Sequence, residues 1–318
     1  MTAPLPFALD VAGYCTHPGR VTRPDASWRP LRFPALFGVI EHPRTGIVLV
    51  DTGYAPRFMA ATARWPEMGY RLLTPVTMPS GETAVERLAA RGIRADDVRT
   101  IVVTHFHGDH IAGLRDFPRA RIVFTASAWA AVADLRGLAA VRKAYLPALL
   151  PDDFSSRADA LDDVRALRPL PPEVAPFGRG IDILGDATLW GVPLPGHAAG
   201  QLGVYFEAAS VGPTLIAADA AWHSRSIRAP HDLHLLARLL SPDHRAWRAT
   251  LDALHVLATG DAVRVVPLHC AEVAAGVGWM APGPSSPDSS RWSLLPRRGR
   301  RGPLPPIPSP KSGGGGGC

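Results

Sequence analysis

The sequence predicts a mixed α/β body followed by a low-complexity tail, and three observations carry that reading. Short runs rich in Val and Ile stop abruptly at polar loops: residues 46–51 read GIVLVD and residues 99–104 read RTIVVT, the composition of buried strands. Residues 81–91 and 243–259 instead space Ala, Leu and Val at the interval of a helix that buries one face. From residue 281 onward Pro, Ser, Arg and Gly dominate and the chain closes on five glycines and a cysteine, which leaves too few apolar side chains for a core. Residues 1–280 are therefore expected to form the folded domain, and residues 281–318 a disordered tail.

Each further element follows the same logic. Residues 121–125 (RIVFT) and 214–218 (TLIAA) add two short apolar runs of strand type. Residues 54–78 and 130–176 hold many helix formers interrupted by Pro and Trp, and read equally as pocket walls and as ordinary connecting helices. With 318 residues, 47% of them apolar and 19% charged, the chain can bury a substantial core.

Charge and cysteine usage exclude several function classes. The sequence pI near 9.7 suggests a nucleic-acid binder, but residues 281–318 hold six Arg or Lys against one Asp, five of the six net positive charges. The remaining body is nearly neutral and offers no electrostatic footprint for DNA or RNA. Cys15, Cys270 and Cys318 are far apart and odd in number, which supports neither a disulfide framework nor a CxxC metal knuckle. The amino terminus has no basic leader or long apolar run. A cytoplasmic protein without a membrane span is the expectation, and no heptad pattern singles out an oligomeric interface.

The chemistry concentrates at residues 104–110, which read THFHGDH directly after a strand-like run. Three imidazoles and a carboxylate within six residues are poor core filler. In extended backbone His105 and His107 project to the same side, where their nitrogens can converge on one cation. Gly108 allows a turn that presents Asp109 and His110 to a second position, a hard oxygen beside a borderline nitrogen. Further candidates stand at later strand ends: His197 in PLPGHAAGQ, Asp219 in LIAADAAW and His269 in VVPLHC. Taken singly, each is more readily a hydrogen-bonded core or loop residue; together they make a ligand set.

In its order of VDTG, HxHxDH, PGH, a strand-terminal Asp and a final His, the sequence resembles the metallo-β-lactamase superfamily from Val50 to His269. The resemblance implies a single-domain α/β fold, the four-layer αβ/βα sandwich, with metals at one end of two packed sheets. It also implies that His105, His107 and His197 hold one divalent cation, that Asp109, His110 and His269 hold a second, and that Asp219 bridges them. Asp51 matches a residue that supports the ligands from behind, where a carboxylate orients an imidazole. Nitrogen and carboxylate donors without thiolate favour zinc.

Such a site makes a nucleophile from a water between the cations near neutral pH, with Asp109 and Asp219 as its carboxylates and Asp109 able to shuttle the proton. Length, the bridging Asp and the stretch GYCTHPGRVTRP are similar to the acyl-homoserine-lactone lactonase-like group. A small lactone, ester or thioester is the implied substrate; a non-catalytic metal-binding scaffold and a phosphodiesterase are the alternatives. Lactonases of that group place a Tyr three residues after the bridging Asp, where this chain has Trp222. An indole N–H donates one hydrogen bond but lacks a phenol's acidity, so substrate contact and aromatic packing stand even for Trp222. The adjacent His223 is the one other histidine placed near the pocket; the rest read as surface or hydrogen-bonded residues.

Overall fold

The computed structural model describes residues 3–22, 25–232, 234, 238, 243–260 and 262–276. The tail expected at 281–318 lies outside the described residues. Among these, the strands assemble into two sheets. The first contains β1 (Phe7–Pro18), β2 (Pro30–His42), β3 (Gly46–Val50), β4 (Val76–Thr77), β5 (Val98–Val102), β6 (Arg121–Thr125) and β7 (Ala158–Leu161), in the order β4-β1-β2-β3-β5-β6-β7. The second contains β8 (Arg168–Pro169), β9 (Arg179–Asp182), β10 (Trp190–Pro193), β11 (Leu202–Ala208), β12 (Gly212–Ala218) and β13 (Arg264–Pro267), in the order β13-β12-β11-β10-β9-β8.

Strand alternation shows how the sheets are layered, because successive side chains point to opposite faces. In β3, Ile47 and Leu49 face one apolar cluster while Val48 and Val50 face another. In β12, Ile216 and Ala218 share that second cluster with Val48 and Val50, whereas Leu215 and Ala217 face a third. The second cluster is thus the seam between the sheets, containing Leu9, Ile40 and Val102 from one side and Val204, Phe206 and Val266 from the other. The first and third clusters lie on the outer faces and are closed by helices, which gives the αβ/βα order of layers.

The helices follow from local chemistry. Four that bear on the site or its frame are α1 (Arg57–Ala61), α2 (Met68–Leu73), α3 (Ala84–Ala89) and α4 (Gly108–Ile111). The helix expected over 81–91 is shorter, because Thr83 starts α3 with a capping box: its hydroxyl accepts from Glu86 N at 3.4 Å and its own N–H donates to Glu86 Oε2 at 3.0 Å. The helix expected over 243–259 is α5 (His244–Thr259). Asp243 caps it by accepting from Ala246 N at 2.9 Å. Its buried Trp247, Leu251, Leu254 and Leu257 recur at helical spacing and cover the outer face of the second sheet. Among the described residues no helix is long and apolar enough to cross a membrane.

Strand direction brings the site together. β3, β5 and β6 are parallel neighbours, so their carboxyl ends share one edge. β10 and β12 are both antiparallel to β11 and β13 is parallel to β12, so these three strands also end together. The two ends are stitched by main-chain bonds: Leu202 N donates to Thr104 O at 3.1 Å and Leu36 N to Leu268 O at 3.0 Å. Every expected ligand follows one of these strand ends.

Candidate metal centre

The residues just beyond the strand ends are placed by specific backbone devices. Asp51 follows β3 with φ +60°, a left-handed conformation that Asp tolerates better than most residues, while its N–H donates to Val102 O at 2.9 Å. Ahead of Asp219, the pairing of β12 with β13 shifts register between Ile216 and Ala218 and Ala218 takes φ +46°. That strained end turns Asp219 out of the sheet. His197 follows Gly196 at φ +124°. Gly108 opens α4 beneath α1 and α2: a Cβ there would stand 3.1 Å from the Phe58 ring and 3.3 Å from the Tyr70 ring. The 54–78 segment therefore walls the HxHxDH loop directly.

All seven expected ligands converge. His105, His107, His197 and Asp219 form one group, and Asp109, His110 and His269 form another, with ligand atoms in each group within 4.8 Å of one another. Asp219 faces both groups through different oxygens. Its Oδ2 lies 3.3 Å from His197 Nε2, while its Oδ1 lies 3.3 Å from His110 Nε2 and 3.2 Å from His269 Nε2. His197 Nε2 and His107 Nδ1 are 3.1 Å apart, and Asp109 Oδ2 is 3.2 Å from His269 Nε2. His107 and Asp109 are the partly exposed members, the other five being buried, which marks the open side of the site.

The imidazoles are held from behind. His110 Nδ1 lies 2.7 Å from Asp51 Oδ2, and the same carboxylate accepts from Thr104 N at 2.8 Å and Thr104 Oγ1 at 2.7 Å. Because the Thr104 hydroxyl donates to Asp51, it accepts from His105 Nδ1, 3.1 Å away. His269 Nδ1 donates to Pro34 O at 2.9 Å. In these three rings Nε2 is left pointing at the centre, the arrangement in which an outer partner fixes tautomer and orientation for a metal ligand. Asp51 thus stands where the sequence expects it. Thr104 and the Pro34 carbonyl were not anticipated; Thr104, directly before His105, was open to inspection, whereas a main-chain carbonyl on β2 leaves no mark in sequence.

Three of the ligand atoms are orphans. His105 Nε2, His110 Nε2 and Asp219 Oδ1 are buried and, among the described residues, lack a hydrogen-bond partner of acceptable geometry, a cost of about 1–3 kcal/mol for each group left so. His110 Nε2 and Asp219 Oδ1 sit at 3.3 Å without the angles of a hydrogen bond, as expected for ligand atoms aimed at a common point. The residues present therefore fit divalent cations.

Electrostatics point the same way. Burial pushes His105 well below the usual imidazole range, with His110 adding to it, and brings His107 down to about 3, with His197 adding to it. Their nitrogens are neutral and available as ligands. Burial acts in the same sense on His110 and His269, but is outweighed by Asp51 and Asp219 for the former and by Asp219 and Asp109 for the latter, so both rise well above that range. Asp219 and Asp109, despite burial, are held low by His269 and His110. Positive charge among these carboxylates is what the pocket demands.

Trp222 touches the centre, whereas His223 is placed against Thr22 and Phe33. The Trp222 indole N–H donates to Asp219 Oδ2 at 3.3 Å and its ring meets the His197 ring edge-on at 5.8 Å. His223 is buried, with Nε2 3.3 Å from Thr22 Oγ1 and its ring against Phe33. Cys270, beside His269, accepts from Ser224 N at 3.3 Å.

A family model described as the metallo-beta-lactamase superfamily matches residues 32–269. The chain belongs to that superfamily. The match takes in every residue of the ligand cluster, all of the second sheet and, in the first, all but β1 and the first two residues of β2. The chain is 32% identical over 212 residues to a protein of Mycobacterium tuberculosis named a probable metallo-hydrolase, covering 64% of this chain and 63% of that one. It is 29% identical over 195 residues to an N-acyl homoserine lactonase of Azorhizobium caulinodans, covering 59% of this chain and 65% of the relative. A solved N-acyl homoserine lactone hydrolase, with the product N-hexanoyl-L-homoserine bound at its catalytic metal centre, superposes with TM-score 0.64 at 17% identity over 87% of this chain and 97% of that one. That likeness establishes the fold, with two packed sheets.

One prediction follows from the support behind His110. Asp51→Asn keeps the shape but removes the charge that holds Nδ1, and is expected to lower metal affinity about 10–100-fold, read as earlier metal loss to a chelator. Unchanged retention would show that Asp51 serves only the fold.

Proposed function

We propose that the protein is a binuclear metal-dependent hydrolase of small lactones, esters or thioesters, with zinc as the favoured metal. His105, His107 and His197 would hold one ion and Asp109, His110 and His269 the other, with Asp219 shared between them. The observation that carries this reading is the division of the Asp219 carboxylate, one oxygen toward each ligand group at 3.2–3.3 Å. A closed structural zinc site would be four-coordinate and Cys-rich; this cluster has seven His and Asp members and a partly exposed side.

Bound divalent cations supply Lewis acidity toward the acyl carbonyl and lower the pKa of water toward neutrality. The chain's own residues do the rest. Asp51, Thr104 and the Pro34 carbonyl fix three imidazoles before substrate arrives, so little reorganisation is left for the reaction. In net terms one water adds across the acyl C–O or C–S bond, its hydroxyl going to the acyl carbon and its proton to the leaving oxygen or sulfur. Asp109, partly exposed and opposite His269, receives that proton and delivers it. The lactonase names among relatives place lactones first in the order of substrates to try.

The test is hydrolysis by the purified protein of N-acyl homoserine lactones, aryl esters, thioesters and an aryl phosphodiester, before chelation, after it, and after zinc or manganese is restored. Lactone, ester or thioester turnover that is lost to the chelator and regained with metal is expected. Turnover of the phosphodiester alone, or none with metal restored, would overturn the proposal.

A further inference from the structure

Which oxygen of Asp219 faces which ligand group depends on how its carboxylate is rotated, and a partner outside the ligand set bears on that rotation. Oδ1 has no hydrogen-bond partner of acceptable geometry among the described residues. Oδ2 lies between His197 Nε2 at 3.3 Å and Trp222 Nε1 at 3.3 Å. Among the described residues, Trp222 is thus the donor to this carboxylate that is not itself a candidate ligand. Its ring is fixed in turn, edge-on to the His197 ring at 5.8 Å and against the apolar residues of both outer clusters.

We propose that Trp222 is a positioning residue for the bridging carboxylate. Its indole N–H holds Oδ2 on the side of His197, which fixes Oδ1 toward His110 and His269, while its ring edge fixes the His197 imidazole. An indole has one N–H. With that hydrogen on Asp219, Trp222 has none to offer a substrate carbonyl, so its part in catalysis runs through the metal ligands. The inference rests on the binuclear reading above, and adds that occupancy of both positions depends on a tryptophan.

The expected signature is in metal retention and in fluorescence. Supporting partners of metal ligands are worth about 10–100-fold in affinity. Trp222→Phe keeps an aromatic ring against His197 and deletes the N–H; it is expected to release metal to a graded series of chelators at about 10–100-fold lower chelator strength than wild type. Restoring zinc to the stripped wild-type protein should shift its tryptophan emission, and Trp222→Phe should lose that shift. Thermal unfolding of the stripped proteins reports whether the variant folds. If it does not, the indole N–H proton of Trp222, assigned by nitrogen-15 spectra of the wild-type protein, gives the same answer by moving on zinc addition. Equal metal retention in a folded Trp222→Phe protein, or an indole N–H indifferent to zinc, overturns the proposal. Hydrolysis is measured in parallel: a wild type that holds two ions inertly, with Trp222→Phe losing one, would sink the hydrolase reading and leave this one standing.

Discussion

Asp219→Ala is expected to abolish hydrolysis, by about 1,000-fold or more, and to leave the folded protein unable to retain both metal ions. The magnitude follows from the several kcal/mol that properly placed divalent cations contribute to the transition state, each 1.4 kcal/mol being a factor of ten in rate. Among the described residues, Asp219 is the side chain whose two oxygens face different ligand groups. Its loss also takes from His110 and His269 one of the carboxylates that raise them. The relevant comparison is kcat/KM for the best substrate of the panel together with ions retained per chain. A variant retaining wild-type turnover would show that the carboxylate does not bridge.

The second large effect is expected at Gly196, in the PGH turn. A Cβ there would fall 2.2 Å from the main-chain N and Cα of Trp247, atoms held in the first turn of α5. Neither can yield, because Trp247 is buried and its N–H donates to Asp243 O at 2.9 Å. Gly196→Ala must therefore displace the turn or the helix, and His197 moves with it. Overpacking costs about 1–3 kcal/mol and the left-handed backbone about 1–3 more, so denaturant unfolding should show a loss of about 2–6 kcal/mol. Gly178→Ala is the control: φ is +66° but no atom lies within 4 Å of the added Cβ, leaving the backbone cost alone. Equal losses at the two positions would remove the packing argument.

The site was more legible than the frame around it. His105, His107, Asp109 and His110 are contiguous, and their chemistry needs no tertiary information to stand out. His197, Asp219 and His269 were ordinary residues one at a time and were recognisable only as a series at strand ends. What stayed hidden depends on the fold. The Pro34 carbonyl reaches His269 from β2, 235 positions away, and the indole of Trp222 declares its partner only once Asp219 is placed. The long strands β1 and β2 are interrupted by Gly, Pro and His, which masks the kind of apolar run that β3 and β5 display. The 54–78 segment could be read as wall or as connector until Phe58 and Tyr70 were seen against Gly108.

The central claim is that two divalent cations share this cluster through Asp219. Elemental analysis of the purified, metal-loaded protein tests it most directly. About two ions per chain, falling in Asp219→Ala, is the predicted result. One ion or none per chain after zinc or manganese loading, in a correctly folded protein, would contradict it.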